Sequence, residues 1–400
     1  MPRFRPFPGL RYSRSHAPSL DSVVCPPYDV ISEPERVALE GRSPSNIVRL
    51  ELPHDEGDPV NDRYVGAARL LDAWRDGGIL HRDAVPAFYG YRMNFTDPGG
   101  APRRTVGVVG ALGLEPPGAG ILPHEQTTPK AKSDRLDLLR ATRANISPIW
   151  GLSPGTGLSG YLRPPEHPRD HATDDERVRH ELWPITDPTQ LEQIAAAVES
   201  GPVLIADGHH RYETALAYRD EHRRGDGGVD AGSVMALVVE LAEDQLSVQA
   251  IHRLVSGLPD GFDLPAALEP WFDLTPTGPA DRTIIHRMAD AGALALLTRT
   301  GAWLARPTPA LVAAAAHDLD SSRLDVALAG LPHHQLVYQH GWDRCAATVA
   351  TGQAGAAVLL RPASIGQIAE ISRGGERMPT KTTFFWPKPR TGMVVRELLS

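Results

Sequence analysis

Residues 203–222 read VLIADGHHRYETALAYRDEH, and the prediction of the fold starts from this stretch. Its first four residues are apolar and predict a buried strand, while the residues after position 211 have the composition of an amphipathic helix. Between strand and helix lies the segment 207–211, which reads DGHHR. The stretch therefore predicts a strand-to-helix turn that carries a carboxylate, two imidazoles and a guanidinium.

The residue types of this turn suit the binding of a phosphate. A helix N-terminus presents N–H groups without helical acceptors and the positive end of the helix dipole. Gly208 leaves room for an approaching phosphate, and Arg211 can bind it through two parallel hydrogen bonds. His209 and His210 can donate to phosphate oxygens or transfer protons. Asp207 can hold Mg²⁺ or accept a proton from a substrate hydroxyl.

A purely structural interpretation makes Asp207 a helix N-cap and the basic residues a solvated first turn, and aspartate is common at that position. Three potentially cationic groups in the first turn, however, oppose the helix dipole. A helix start with no ligand has no reason to collect them. An anion site is therefore favoured over the structural interpretation.

A second polar cluster, HEQTTPKAKSDR, covers residues 124–135 and predicts a loop that leads into a helix. It is not the HExxH zinc motif, because the second histidine is absent. An ordinary polar loop with a serine N-cap would explain it, but an acid beside several cations suits phosphoryl transfer. The residues of this cluster predicted to take part are His124, Glu125, Lys132 and Arg135.

Two further segments give weaker signals. CPPYDV at 25–30 predicts a rigid turn, in which Asp29 is either catalytic or part of the turn itself. GGERMPTKTTFFWPKP at 374–389 carries Lys381 and Lys388 among aromatic residues and is either a basic lid over a ligand or a terminal strand. Of these, Lys381 is predicted to neutralise charge at the site.

Composition narrows the class of protein. The chain has 400 residues, 41% of them hydrophobic and 22% charged, and a formal net charge of −8. This composition is typical of a globular protein. The net negative charge argues against a nucleic-acid partner bound through a broad basic face. No apolar run reaches membrane-spanning length, and the two cysteines form no CxxC pair. We therefore expect a cytoplasmic protein that acts on a small molecule; the sequence does not indicate its oligomeric state.

Alternating helical and strand patterns predict a fold of the α/β class (mixed α+β). Ser32 and Glu35 have capping-box spacing and predict a helix over 29–41, whereas alternation in NIVRLEL (46–52) predicts a strand. Four hundred residues favour several subdomains. The boundaries predicted from composition are 1–115 for an N-terminal α/β subdomain, 116–260 for the subdomain that carries the motif, and 261–400 for a C-terminal α/β subdomain with a basic terminal segment.

Two resemblances add to this interpretation. DGHHRYETAL resembles the phosphate-binding motif of the ParB/sulfiredoxin-like superfamily, which implies that the central unit has that fold and that residues 208–211 contact the phosphates of ATP or ADP. It also implies that Asp207 faces Mg²⁺ or the acceptor. Over nearly the whole chain, six ordered blocks resemble the bacterial family catalogued as domain of unknown function 1015. They are FPGLRYS, VVCPPYDVIS, HEQTTPKAKSDRLDLLRATRANISPIW, IADGHHRYETALAY, IHRLV and MPTKTTFFWPKP.

Three functions remain open. The first is a nucleotide- and Mg²⁺-dependent phosphotransferase acting on a small hydroxyl compound such as serine, with Asp207, Glu125 and His210 as catalytic residues. The second is a nucleotide-binding switch without catalysis. The third is a metal-dependent hydrolase that uses His124, His209 and His210, which neither the spacing nor the cysteine usage favours.

Overall fold

The computed structural model describes residues 1–54, 62–97, 100–116, 118–123, 130–222 and 230–398. The chain divides into two compact units. Unit 1 comprises Met1–Pro123, Thr127–Ser247 and Pro387–Ser400, and the described residues of unit 2 lie in Val248–Trp386.

Helices and strands alternate along both units. The helices are α1 (Glu33–Arg42), α2 (Val48–Glu51), α3 (Arg63–Asp76), α4 (Lys130–Thr142), α5 (Leu158–Tyr161), α6 (Pro188–Glu199), α7 (His209–His222), α8 (Leu264–Leu268), α9 (Ile284–Ala291), α10 (Pro309–Ala314), α11 (Asp320–Leu328), α12 (Trp342–Ala350) and α13 (Ile365–Arg373). The strands are β1 (Phe4–Arg5), β2 (Leu10–Tyr12), β3 (Leu80–Arg82), β4 (Phe88–Thr96), β5 (Pro102–Gly113), β6 (Ile121–Pro123), β7 (Ala144–Asn145), β8 (Ile149–Ser153), β9 (Asp170–Thr173), β10 (Arg179–Ile185), β11 (Val203–Asp207), β12 (Ser233–Glu240), β13 (Ser247–Ala250), β14 (His252–Ser256), β15 (Phe272–Thr277), β16 (Leu294–Thr298), β17 (Ala302–Pro307), β18 (Gln335–Gln339), β19 (Ala356–Leu359), β20 (Thr383–Trp386) and β21 (Arg396–Glu397). The predicted mixed α+β class is confirmed.

The main sheet of unit 1 has the order β6-β11-β8-β12-β5-β4-β10-β9, with β1 also paired to β5. The pairs β11·β6 and β12·β8 are parallel, whereas the neighbouring pairs β11·β8 and β12·β5 are antiparallel. Strand β12 reads SVMALVVE and is buried along its middle, because its β-branched and aliphatic side chains suit a central strand. Helices α6 and α7 pack onto the same core through Ile194, Val198, Tyr212 and Ala215.

Unit 2 has its own sheet, in the order β15-β17-β16-β19-β14-β18 with adjacent strands antiparallel. Along β16 the side chains alternate between two cores: Leu294 and Leu296 belong to one cluster, and Ala295 and Leu297 to another. Successive side chains of a strand point to opposite faces, so both faces of this sheet are packed.

One predicted element is wrong. Residues 46–52 were predicted to form a strand, but Val48–Glu51 forms the short helix α2. Asn46 explains the change, because its side-chain oxygen accepts a hydrogen bond from the backbone N–H of Val48 at 3.0 Å while its amide donates to the Ser22 carbonyl at 2.7 Å. Such a local side-chain bond stabilises a helical turn at the expense of a strand. The helix predicted over 29–41 is confirmed as α1, with the Ser32–Glu35 capping box.

The division into two units differs from the three segments predicted from composition. Strands β4 and β5 precede residue 115, yet they pair with β10 and β12, which follow it. The segment Pro387–Ser400 also belongs to unit 1 although it ends the chain. Pairing between distant strands decides these boundaries, and local composition carries no record of it. In the described parts of the chain, no helix is both long and apolar enough to cross a membrane.

Candidate functional site

The turn predicted at 207–211 is present: β11 ends at Asp207 and α7 begins at His209. Between them Gly208 has φ +90°, a conformation that side chains disfavour. A Cβ at this position would lie 3.0 Å from Cγ2 of Ile149 and 3.1 Å from Nε of Arg211. Glycine is therefore favoured both by the backbone conformation and by the limited space.

An irregularity in the sheet directs the end of β11. The pairing of β11 with β8 shifts register between Ile205 and Asp207, so that Ile205 lies opposite Gly151 and Asp207 opposite Trp150. Bulges of this kind redirect side chains and occur often beside functional sites. Here the shift lies at the end of β11, directly before α7 begins at His209.

The Asp207 carboxylate lies between two cations. Its Oδ2 accepts a hydrogen bond from Nη2 of Arg211 at 2.8 Å, and its Oδ1 pairs with Nζ of Lys388. The three side chains are only 10–14% exposed. Burial alone would raise the pKa of Asp207, but Lys388 and then Arg211 hold it well below its usual range. Asp207 is therefore an ionised carboxylate, and the triad of Asp207, Arg211 and Lys388 carries a net charge of +1.

Arg211 is held on more than one side. Besides Asp207, its Nη1 donates to the backbone carbonyl of Pro148 at 2.5 Å. Burial would lower its pKa, but the Asp207 carboxylate raises it. The guanidinium is thus charged and fixed in place, although it is nearly enclosed by protein.

Tyr28, from the CPPYDV segment, packs against two arginines. The guanidinium carbon of Arg135 lies 4.4 Å from the centroid of its ring, and that of Arg211 lies 5.9 Å away. Burial raises the pKa of Tyr28 to about 12, although the two guanidiniums oppose the shift. The ring is therefore neutral and serves as an aromatic surface on which cations pack.

Arg135 belongs to α4 and is buried. Its Nη1 donates to the backbone carbonyl of Glu51 at 2.7 Å, and its Nε and Nη2 donate to Asp134 at 2.8 and 2.6 Å. The Glu51 carboxylate in turn accepts a hydrogen bond from Ser147 at 2.8 Å. Side chains from α2, α4 and the segment before β8 thus form one polar network behind the turn.

The segment that carries Lys388 is anchored on both sides. Backbone hydrogen bonds join Thr391 to Cys25, at 2.9 and 3.2 Å, which places the Lys388 segment beside the chain leading to Tyr28. The backbone N–H of Arg390 donates to the Tyr91 hydroxyl at 2.9 Å, and its guanidinium pairs with Asp174 at 2.5 Å. These contacts fix the backbone directly after Pro389, two and three positions beyond Lys388.

The sequence profile of a family described as "Protein of unknown function (DUF1015)" matches residues 4–327. The chain belongs to this family. The blocks of the DUF1015 chain that contain Tyr28, Arg135, Pro148 and Arg211 are far apart in sequence and meet in the network described above. The resemblance to the family seen in the sequence is therefore confirmed.

No curated protein sequence matches the DUF1015 chain. Among solved structures, a conserved hypothetical protein from Pyrococcus furiosus is 14% identical, covering 68% of this chain and 88% of its own, with a TM-score of 0.35. A free serine kinase in complex with AMP is 13% identical over 66% and 83% of the two chains, with a TM-score of 0.36. SbnI from Staphylococcus aureus, truncated at its C-terminus, is 14% identical over 71% and 85%, with a TM-score of 0.39. Similarity at this level transfers no function to the chain.

The structure brings together part of the predicted site. Residues 207–211 form the turn, and Arg135 contacts the same tyrosine as Arg211. His124 and Glu125 lie outside the described residues, as does the side chain of Lys132 in α4. Lys381 lies in unit 2, with φ +56°.

Sequence reasoning gave no role to Tyr28 or Glu51 in the site. The CPPYDV block contained a signal, since a rigid turn that ends in an aromatic residue is suited to hold a ring in place. For Glu51 no signal was visible, because the strand pattern assigned to its segment was wrong.

Metal-binding groups are not evident at the turn. In the ranges that the structure describes, no three His, Cys, Asp or Glu side chains form a group that could hold a metal ion. Both carboxylate oxygens of Asp207 are already engaged by cations. The described residues therefore do not fit a Mg²⁺ centre.

Proposed function

We propose that the turn at 207–211 binds the phosphates of ATP or ADP, and that the protein transfers a phosphoryl group to a small hydroxyl compound such as serine. The observation that supports this proposal is the buried triad of Asp207, Arg211 and Lys388 at the N-terminus of α7. Its net charge of +1 lies where the helix dipole is also positive, and an anionic ligand would be stabilised by both.

Each residue of the turn has a proposed part in holding the phosphates. Gly208 lets the backbone approach the ligand, and the first N–H groups of α7 donate to phosphate oxygens. His209 and His210, both half-buried, add donors from the same turn. Lys388 is a point charge held in position by Asp207. Phosphoryl transfer depends mainly on positioning and on electrostatic stabilisation, which is what a fixed set of cations provides.

The acid–base assignment changes on structural grounds. Asp207 was predicted to hold Mg²⁺ or to act as the base, but its lowered pKa and two ion pairs suit a residue that positions cations. A strongly paired carboxylate is a weak proton acceptor. We therefore propose Glu125 as the base that accepts the proton of the acceptor hydroxyl. Because the described residues do not fit a Mg²⁺ centre, no step is assigned to the ion.

A nucleotide-binding switch is the second candidate. The ion pairs of Asp207 with Arg211 and Lys388 favour it. They position cations that can bind an anion, and the described residues of the turn offer no carboxylate free to act as a base. A metal-dependent hydrolase through His124, His209 and His210 gains no support, because the described residues contain no metal-binding group and His124 lies outside them.

Nucleotide binding is tested first, by isothermal titration of the full chain with ATP, ADP, CTP and GTP. His210→Ala removes a donor from the turn without touching the buried ion pairs, and we expect it to weaken binding about three-fold to ten-fold. His286→Ala, on the exposed face of α9, is the matched control and should leave the affinity unchanged. Equal affinities in both variants, or no binding by the wild type, would refute a phosphate site at this turn.

Catalysis is tested second, by following the transfer of phosphate from the nucleotide to serine and other small hydroxyl compounds. We expect Glu125→Gln to abolish turnover while nucleotide affinity persists, because a general base lowers the barrier of the chemical step and contributes little to ground-state binding. A wild-type protein that binds nucleotide but phosphorylates no acceptor would favour the switch. A fully active Glu125→Gln variant would remove Glu125 from the mechanism.

A further inference from the structure

We propose that unit 2 contains a second anion site, separate from the turn at α7, that binds the phosphate group of a small phosphate ester. The site is a cavity of about 400 Å³ where α11 begins. Three arginines line it: Arg306 from β17, Arg323 from α11, and Arg361 from the segment after β19. A cavity of this volume lies within the range of small-molecule sites.

Arg361 is oriented before any ligand arrives. Its Nε and Nη2 donate to the two carboxylate oxygens of Asp320 at 2.9 and 2.6 Å, and its backbone N–H donates to the same carboxylate at 3.0 Å. Asp320 is buried, so this two-point contact fixes the plane of the guanidinium. The third nitrogen, Nη1, takes no part in the contact with Asp320.

The other two arginines supply further donors. Arg323 is 8% exposed and pairs with Asp318 and Asp320, but its Nε has no hydrogen-bond partner among the described residues. A buried N–H of this kind costs free energy unless a ligand or water accepts a hydrogen bond from it. Arg306 is exposed and forms no ion pair with the described part of the chain. With Asp318 and Asp320 counted, the three arginines leave a net charge of +1 in the cavity.

The start of α11 adds to this positive character. The helix opens with Asp320, Ser321, Ser322 and Arg323, all buried, which is unusual for four polar residues in sequence. Its N-cap is Leu319, whose side chain cannot accept from the first N–H groups. Ser321 lines the cavity and its hydroxyl lies 3.0 Å from that of Thr382. Helix dipole, hydroxyl groups and guanidiniums therefore converge on one small volume.

The lining indicates the class of ligand. Among the described residues that line the cavity, none is aromatic, so a nucleobase would find no ring to stack on. The apolar part of the wall is aliphatic, with Val312, Leu319 and Leu360. Converging arginine and hydroxyl donors suit a tetrahedral oxyanion, and the aliphatic wall suits a short carbon chain. A small phosphate ester combines these two features.

The test is isothermal titration of the full chain with inorganic phosphate and with glycerol 3-phosphate, at constant ionic strength. Arg306→Gln removes an exposed cation that carries no structural ion pair, and we expect the Kd for both probes to rise about ten-fold. Arg306→Lys keeps the charge and should retain most of the affinity. Arg299→Gln, an exposed arginine after β16, is the matched control and should bind as the wild type does.

Lys388→Met separates this site from the turn at α7. If the cavity is the binding site, glycerol 3-phosphate affinity persists in Lys388→Met and falls in Arg306→Gln. Binding that is lost in Lys388→Met and kept in Arg306→Gln would overturn the second site, as would a wild type that gives no heat with either probe. Neither result would refute nucleotide binding at the turn, which is measured separately.

Discussion

The ion pair between Asp207 and Lys388 allows the most direct test of the site. Lys388→Met removes the ammonium group but keeps a chain of similar length, so the packing around it changes little. Asp207 retains its second partner, Arg211, at 2.8 Å. The substitution thus removes one of the two cations paired with Asp207 and leaves its buried charge paired with the other.

The expected magnitude follows from burial. Both side chains are at most 14% exposed, so the pair should stabilise the fold by more than the roughly 0–1 kcal/mol of an exposed ion pair. Breaking a buried pair outright costs about 3–5 kcal/mol, but the remaining contact with Arg211 reduces the loss. We expect the free energy of opening of the β11–α7 segment to fall by about 1.5–3 kcal/mol, the range of a hydrogen bond to a charged group. This corresponds to exchange that is about ten-fold to a hundred-fold faster.

The assay is hydrogen exchange, followed by mass spectrometry of peptides from residues 203–222. It reports on local opening and does not require the two units to unfold together. Lys388→Arg keeps the positive charge and serves as the control that should retain most of the protection. A double-mutant cycle with Asp207→Asn then isolates the pair, and we expect a coupling free energy of at least about 1 kcal/mol.

Acid should remove the same contribution. The folded-state pKa of Asp207 is lowered, so its stabilising effect is present above the unfolded pKa of about 3.9 and is lost as pH falls through the folded value. The advantage of wild type over Asp207→Asn should therefore shrink in acid. A coupling free energy near zero at neutral pH, with additive effects of the two substitutions, would show that Lys388 does not stabilise the turn.

Two further predictions concern the turn and its support. Gly208→Ala should lower the free energy of unfolding by about 1–2 kcal/mol through its left-handed φ, with an added cost from the 3.0 Å approach to Ile149. Urea denaturation measures this loss beside that of Gly157→Ala, a control position with φ +94° but open space around it. Equal losses in the two variants would contradict the steric contribution. Burial lowers the pKa of His180, although Asp174 opposes the shift, so the unfolded chain binds a proton that the folded chain does not as pH falls below about 6.5. Wild type should then lose stability between about pH 7 and 5, and His180→Gln should lose less; identical thermal melting profiles of the two proteins over this range would show that His180 does not contribute.

Several local features were predictable from sequence because neighbouring residues alone decide them. The strand and helix on either side of Gly208 follow from an apolar run and an amphipathic pattern, and the start of α1 follows from the capping box of Ser32 and Glu35. The strand predicted over 46–52 was wrong, because the hydrogen bonds of Asn46 outweighed an alternation that a short helix accommodates equally well.

The motif residues themselves were also visible in the sequence. The order strand, DGHHR, helix places a glycine and charged groups at a helix N-terminus, whatever the rest of the chain does. Local composition was enough to predict a polar turn there and the mixed α+β class. The sequence by itself thus determined which residues form the turn and which chemistry they offer.

Only the tertiary structure decided which partners these residues have. Lys388 reaches Asp207 across 181 positions, Tyr28 packs against Arg211, and backbone bonds join Thr391 to Cys25. Such contacts depend on sheet order and on the return of the C-terminal segment to unit 1, and no short-range pattern encodes either of them. The role proposed for Asp207 changed for the same reason: its pKa is held low by two cations that only folding brings to it.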